Sequence, residues 1–260
     1  MRKTQFEKKP FDKKRANASY SPSDHFVCGR NAVREVLQHR SELVVDLLCT
    51  AAAKEELSKE GAIPEGTLLQ IRSGKELDYL LHTSSHQGVC ARMSASSETD
   101  FDELCSDDAL AKSPVYLALD GIQDPHNLGA LFRAAECFGI AAIIWSHNRT
   151  VSITPAVTKV SVGATELVAH SKVGNLSQAM KRLKEKGVWL LAAANGPNAK
   201  IPSEVDLPGP KCLILGSEGE GIAHALQELA DLEVFIPMQG KIDSLNVSQA
   251  GAIILSQLAR

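Results

Sequence analysis

The sequence has no pair of cysteines at the spacing that metal sites, redox motifs or disulfide frameworks use. Its six, Cys28, Cys49, Cys90, Cys105, Cys137 and Cys212, are scattered with no CxxC, and His39, His82, His170 and His224 likewise lack a partner at ligand spacing. Most of the cysteines sit in apolar runs, which predicts buried free thiols and no metal. No apolar run approaches the roughly 20 residues that a membrane-spanning helix needs. No apolar segment follows Met1-Arg2-Lys3 as it would in a secretory signal. A cytoplasmic protein with no membrane partner is the expectation. Also missing are an internal repeat and a GxGxxG turn with its acidic ribose-binding partner, which argues against a dinucleotide-dependent oxidoreductase.

Excess positive charge is absent too: 28 Lys and Arg stand against 31 Asp and Glu, a net −3. That balance disfavours a general nucleic-acid binder, but the charge is unevenly placed. Residues 1–15 carry a balance of +5 and the remainder −8. A polyanion, if bound, must meet a local patch, with the basic arm either helping or serving only as a solvated tail.

What is present is an ordinary globular composition, 44% hydrophobic and 23% charged over 260 residues, enough for one large domain or two modest ones. Residues 1–24 are polar and aperiodic and are expected to be disordered. Residues 25–93 read as a small α/β domain: a helical stripe at Ala32, Val33, Val36 and Leu37, a buried strand at Val44–Cys49, a charged helix around Lys54–Lys59, and strands at Thr67–Ile71 and Gly88–Met93. Residues 94–113, acidic and Ser-rich, read as a linker with at most one short helix. In 114–260 candidate strands at Val115–Leu119, Ala141–Trp145, Val188–Ala193, Cys212–Leu215 and Glu233–Pro237 alternate with helices near 127–138, 155–162, 175–186, 221–229 and 247–259. Such alternation predicts a parallel sheet covered on both faces.

Three segments of the second half carry candidate chemistry. Leu119–Arg133 runs from the carboxyl end of a strand into a helix, where open α/β sheets bind ligands. Leu128, Leu131, Phe132, Ala135 and Phe138 form that helix's core stripe, and Arg133 points away from it. Asn127 either caps the helix or faces a ligand. Leu213–Ile222 opens a strand into a turn with Gly216, Gly219 and Gly221, which is either a plain connection or a place where backbone meets a ligand. Ile236–Ala250 is a loop ending in Ser244, Leu245 and Asn246 at the mouth of the last helix, where a cap alone would account for much of it.

In order, N-x-G-x-x-x-R (Asn127, Gly129, Arg133), G-S-E-G-x-G (216–221) and I-P-M-x-G-x-x-x-S-L-N-V-S (236–248) closely resemble the three motifs of the SpoU/TrmH family of RNA 2′-O-ribose methyltransferases, within the SPOUT superfamily. Gly29-Arg30-Asn31-Ala32-Val33 and His86-Gln87-Gly88-Val89 resemble the substrate-binding domain of the subgroup that methylates a guanosine of bacterial 23S rRNA. The resemblance implies an α/β methyltransferase domain with a deep trefoil knot, S-adenosyl-L-methionine as cofactor, RNA as substrate and a homodimer. It implies Arg133 as the central catalytic group, with Asn127, Glu218, Ser244 and Asn246 orienting. It further implies that Gly216, Ile236 and Leu245, with Leu215 and Met238 beside them, hold the cofactor. The alternatives are the same chemistry on tRNA, or a non-catalytic RNA-binding protein of ribosome assembly.

Overall fold

The computed structural model describes residue 20, residues 24–241 and residues 244–259, so the disorder expected for residues 1–24 lies almost wholly outside the described residues. Chain contacts divide the molecule into two compact units between Ala95 and Ser96.

In the first unit, β1 (His25–Cys28), α1 (Arg30–His39), β2 (Val44–Cys49), α2 (Ala51–Lys59), β3 (Leu69–Ile71), α3 (Gly74–Leu81) and β4 (Val89–Met93) follow one another. The sheet order is β1-β4-β2-β3, with β4 antiparallel to β1 and β2, and β3 parallel to β2. The stripe read from sequence on α1 is its buried face: Ala32, Val33, Val36 and Leu37 join one core with Leu47, Val89 and Ala91. Helix α3 was not anticipated, because Leu77 is its one buried residue. It starts on a reciprocal cap in which Ser73 Oγ accepts from Glu76 N and Glu76 accepts from Ser73 N, a signal already legible in the spacing S-x-x-E. At the outer end Asp24 pairs with Arg92 at 3.9 Å, and Arg92 lies over the Tyr20 ring at 5.1 Å.

The second unit begins with α4 (Phe101–Leu104) and α5 (Asp107–Leu110), where the sequence suggested a linker. Phe101, Leu104 and Cys105 are buried in the unit's core, and Tyr116 Oη donates to Leu104 O at 2.7 Å. Two polar residues of this stretch are helix caps: Asp100 accepts from Asp102 N and Ser106 from Ala109 N. There follow β5 (Val115–Asp120), α6 (Pro125–Cys137), β6 (Ala142–Ser146), α7 (Pro155–Val160), β7 (Ala169–Val173), α8 (Leu176–Glu185), β8 (Trp189–Ala193), β9 (Lys211–Gly216), α9 (His224–Leu229), β10 (Leu232–Val234) and α10 (Val247–Leu258).

The six strands form an all-parallel sheet in the order β10-β8-β9-β5-β6-β7. Alternate residues of each strand feed two cores. Leu117, Leu119, Leu213 and Leu215 meet α6, α7 and α10, whereas Tyr116, Ala118, Cys212 and Ile214 meet α4, α8 and α9. Both faces are therefore covered, as the alternation predicted. Strand β7 was missed because its residues, Ala-His-Ser-Lys-Val, carry no apolar run. His170 is buried there by stacking on Trp145 at 5.5 Å, and burial lowers its pKa. Five of the six cysteines are buried free thiols, and Cys137 is exposed. Burial alone pushes the Cys28 thiol up to about 12.

The chain leaves β5 through α6 toward β6 on one side, and leaves β9 through α9 toward β10 on the other. Neighbouring strands whose exits diverge open a crevice at their carboxyl ends, where ligands bind in such sheets. One close approach fixes how α6 packs on α7: a Cβ on Gly129 would fall 2.7 Å from Val160 Cβ and 2.9 Å from Val157 O. The glycine in N-x-G is thus explained by packing of α6 on α7. Replacing Gly129 by Ala should destabilise the unit by about 1–3 kcal/mol through overpacking, read as a lower urea midpoint at unchanged slope; an unchanged midpoint would contradict this packing.

Candidate active site

Three loops meet at the carboxyl edge of the sheet around the crevice between β5 and β9. The first enters α6 through Asp124, whose carboxylate accepts from His126 N at 2.8 Å. Pro125 occupies the first turn, where no N–H is needed. Asp124 is thus the cap, which leaves Asn127, 8% exposed, free to meet the other loops.

The second loop follows β9. Ser217 and Gly221 exchange backbone hydrogen bonds at 3.1 and 3.0 Å, with Gly219 and Gly221 at φ +97° and +69°. A Cβ on Gly216 would fall 2.1 Å from the carbonyl carbon of Gly221, so the tight turn itself requires glycine there. Its tip carries Glu218. The third loop ends at Asn246, which caps α10 by accepting from Ser248 N at 2.9 Å.

Glu218 ties the three together. Its Oε1 accepts from Asn246 Nδ2 at 2.7 Å, Asn127 Nδ2 at 3.2 Å and Val247 N at 3.3 Å. The Asn246 amide also donates to Asn127 Oδ1 at 2.8 Å. A carboxylate oxygen with three donors is held in position.

Three adjoining clefts surround this network. One of about 470 Å³ is lined by Leu215, Gly216, Glu218, Ser244, Leu245 and Asn246. A second, about 540 Å³ and mostly apolar, shares Ser244 and Leu245 and adds Ile236 and Met238. The third, about 450 Å³ and polar, shares Glu218 and adds Asn127, Asp124 and Arg149. Each is of the size that binds small molecules. Of the ten site residues expected from sequence, nine therefore line one connected region. Arg133 does not; it is exposed on α6 and lines none of the three clefts.

The SpoU rRNA Methylase family description matches residues 114–256, the whole region that builds this site. The chain belongs to the SpoU family. A second family description, RNA 2′-O ribose methyltransferase substrate binding, matches residues 26–99. Among SpoU relatives, the chain is 38% identical over 243 residues to a 23S rRNA (guanosine-2′-O-)-methyltransferase of Shewanella oneidensis, covering 90% of this chain and 96% of the other. A TrmH-family protein of Porphyromonas gingivalis has a similar structure at TM-score 0.71 and 25% identity, covering 90% of this chain and 89% of that one. The SpoU methyltransferase AviRb of Streptomyces viridochromogenes, solved with AdoMet, shares the fold at TM-score 0.70 and 20% identity, over 91% and 89% of the two chains.

Reading the SpoU motifs alone misses two residues. Asp120, 3% exposed, accepts from Ala223 N at 2.8 Å and pairs with Arg149 Nη1 at 3.2 Å. Its carboxylate anchors the exit of the glycine turn to the end of β5. The signal was available: an acidic residue closing an otherwise apolar strand, with an arginine after the next strand.

Glu218→Ala should leave three donors without their acceptor. Because Glu218 is exposed, the expected loss of stability is modest, about 1 kcal/mol. Amide exchange should nevertheless quicken in the first turn of α10. Unchanged protection at Val247 would contradict the network.

Proposed function

We propose that the chain transfers a methyl group from S-adenosylmethionine to the ribose 2′-hydroxyl of a guanosine in 23S rRNA. The Asn127–Glu218–Asn246 network carries this reading, because it joins all three SpoU segments over clefts that suit a nucleoside. The named activity of the Shewanella oneidensis relative, aligned over nearly the whole chain, supports the substrate. The substrate-binding match over residues 26–99 supports an RNA-holding role for the domain at 25–93.

The residues present fit the cofactor. Leu215, Gly216 and Leu245 offer backbone groups where glycines remove side-chain obstruction, and Ile236 and Met238 offer an apolar wall. When bound, S-adenosylmethionine supplies a methyl already activated by its sulfonium. The chain's own task is to hold the 2′-oxygen in line and relieve it of its proton, and positioning supplies up to about 7–11 kcal/mol in ideal cases. Glu218, Asn127 and Asn246 form the rigid polar wall that orients the nucleotide, and Ser244 sits at the junction of two clefts.

Arg133 is assigned an electrostatic role, since a guanidinium stays protonated and is no base. It lies about 9 Å along α6 from Asn127 at 1.5 Å per residue. We read the protein as a homodimer with its active sites near the subunit interface, which gives the exposed Arg133 a cleft to serve. The loops at 213–222 and 236–246 are read as those of the trefoil knot, and the cytoplasm, where ribosomes are made, as the location. Among the described residues no helix is long and apolar enough to cross a membrane.

The test is transfer of labelled methyl to unmodified 23S rRNA and, in parallel, to bulk tRNA, with the modified nucleotide mapped. One 2′-O-methylguanosine in 23S rRNA is expected. Label in tRNA would overturn the substrate, and no label despite cofactor binding would overturn the chemistry. Arg133→Lys keeps the charge but loses the bidentate fork, and should lower turnover at least about tenfold; near-normal turnover would contradict the assigned role.

A further inference from the structure

Among the described residues lining the polar cleft Arg149 is the one cation, and it shares the cleft with Asn127, Glu218 and the carboxylates of Asp124 and Glu220. The two sides of its guanidinium are held very differently. Nη1 faces Asp120, a carboxylate 3% exposed and fixed by the Ala223 amide. Nη2 faces Glu220 at 3.7 Å, with the Glu220 side chain 84% exposed. That distance is beyond a hydrogen bond, and an ion pair so exposed contributes little. One arm of the fork therefore faces a buried, fixed carboxylate, and the other is exchangeable.

We propose that Arg149 is the anchor for a phosphate of the substrate RNA next to the methylated ribose, and that Glu220 holds the phosphate's place in the free protein. The proposal rests on the reading of the chain as an RNA methyltransferase. A phosphodiester presents two oxygens and one negative charge, which matches the open side of a guanidinium. The wider surroundings leave a polyanion few alternatives. Beyond residue 15 the chain carries a net −8, and the cleft's other charged residues are acidic. An RNA strand entering beside Asn127 and Glu218 meets repulsion unless one cation is held at that spot. Asp120 does the holding: buried and tied to the glycine turn, it fixes Arg149 relative to Glu218 as well. Arg149 is thus a substrate-contacting residue, and Asp120 is a positioning residue behind it.

The experiment measures binding of unmodified 23S rRNA across a salt series, with KM, kcat and S-adenosylmethionine affinity, for the wild type and three variants. Arg149→Gln should raise the RNA Kd and KM about tenfold while leaving cofactor affinity unchanged. It should also flatten the slope of log K against log salt by about 0.7–0.9, one phosphate's worth. Arg149→Lys should restore the slope and only part of the KM. Glu220→Gln, which leaves the buried pair intact, should tighten RNA binding about two- to threefold by removing the competing carboxylate. A folded Arg149→Gln protein with unaltered KM and slope overturns the proposal. Should that variant not fold, absence of tightening in Glu220→Gln overturns it instead. Failure of the wild type to methylate any RNA would count against the functional reading, while the salt slopes would still decide the anchor.

Discussion

Glu218 Oε1 accepts hydrogen bonds from Asn127, Asn246 and the Val247 amide, and the geometry of the whole carboxyl edge depends on that meeting. Without it, the start of α6, the glycine turn and the mouth of α10 would be three separate loops. With it, they form a polar wall between a glycine-lined chamber and an open cleft. The cost of gathering three chain segments is met by elements that are rigid already. Asn127 rides on a helix capped by Asp124, Asn246 is itself a cap, and Glu218 sits on a turn locked by Ser217 and Gly221.

The sheet decides where this meeting can happen. Adjacent β5 and β9 send their chains to opposite sides, so the crevice between their ends stays open, and loops that are distant in sequence become neighbours. Asp120, at the very end of β5, then serves both sides of the crevice, receiving the Ala223 amide and holding Arg149. A buried carboxylate with two partners of that kind couples the glycine turn to the polar cleft.

Much of this was legible in the residues. The parallel sheet followed from strands that alternate with helices, and the three motifs, with Leu215 beside them, supplied nine expected residues that line the clefts. What escaped had physical reasons. Strand β7 hides because His170 and Ser171 are buried polar residues rather than apolar ones. Helices α4 and α5 hide because Asp100 and Ser106, which read as linker, are caps beside the buried Phe101 and Leu104. Arg149 and Asp120 leave only a faint signal, an acidic strand end and an arginine after the next strand, because the fold alone pairs residues 29 positions apart. Arg133 is the converse case: its motif is plain, yet one chain alone does not bring it to the clefts.

The most direct test is the structure of the protein with S-adenosylhomocysteine, the product left after methyl transfer. The account predicts the nucleoside against Gly216 and Leu245, walled by Ile236 and Met238, with Glu218 Oε1 still accepting from Asn246 and Val247. A nucleoside bound elsewhere, or a Glu218 turned away from both donors, would contradict it.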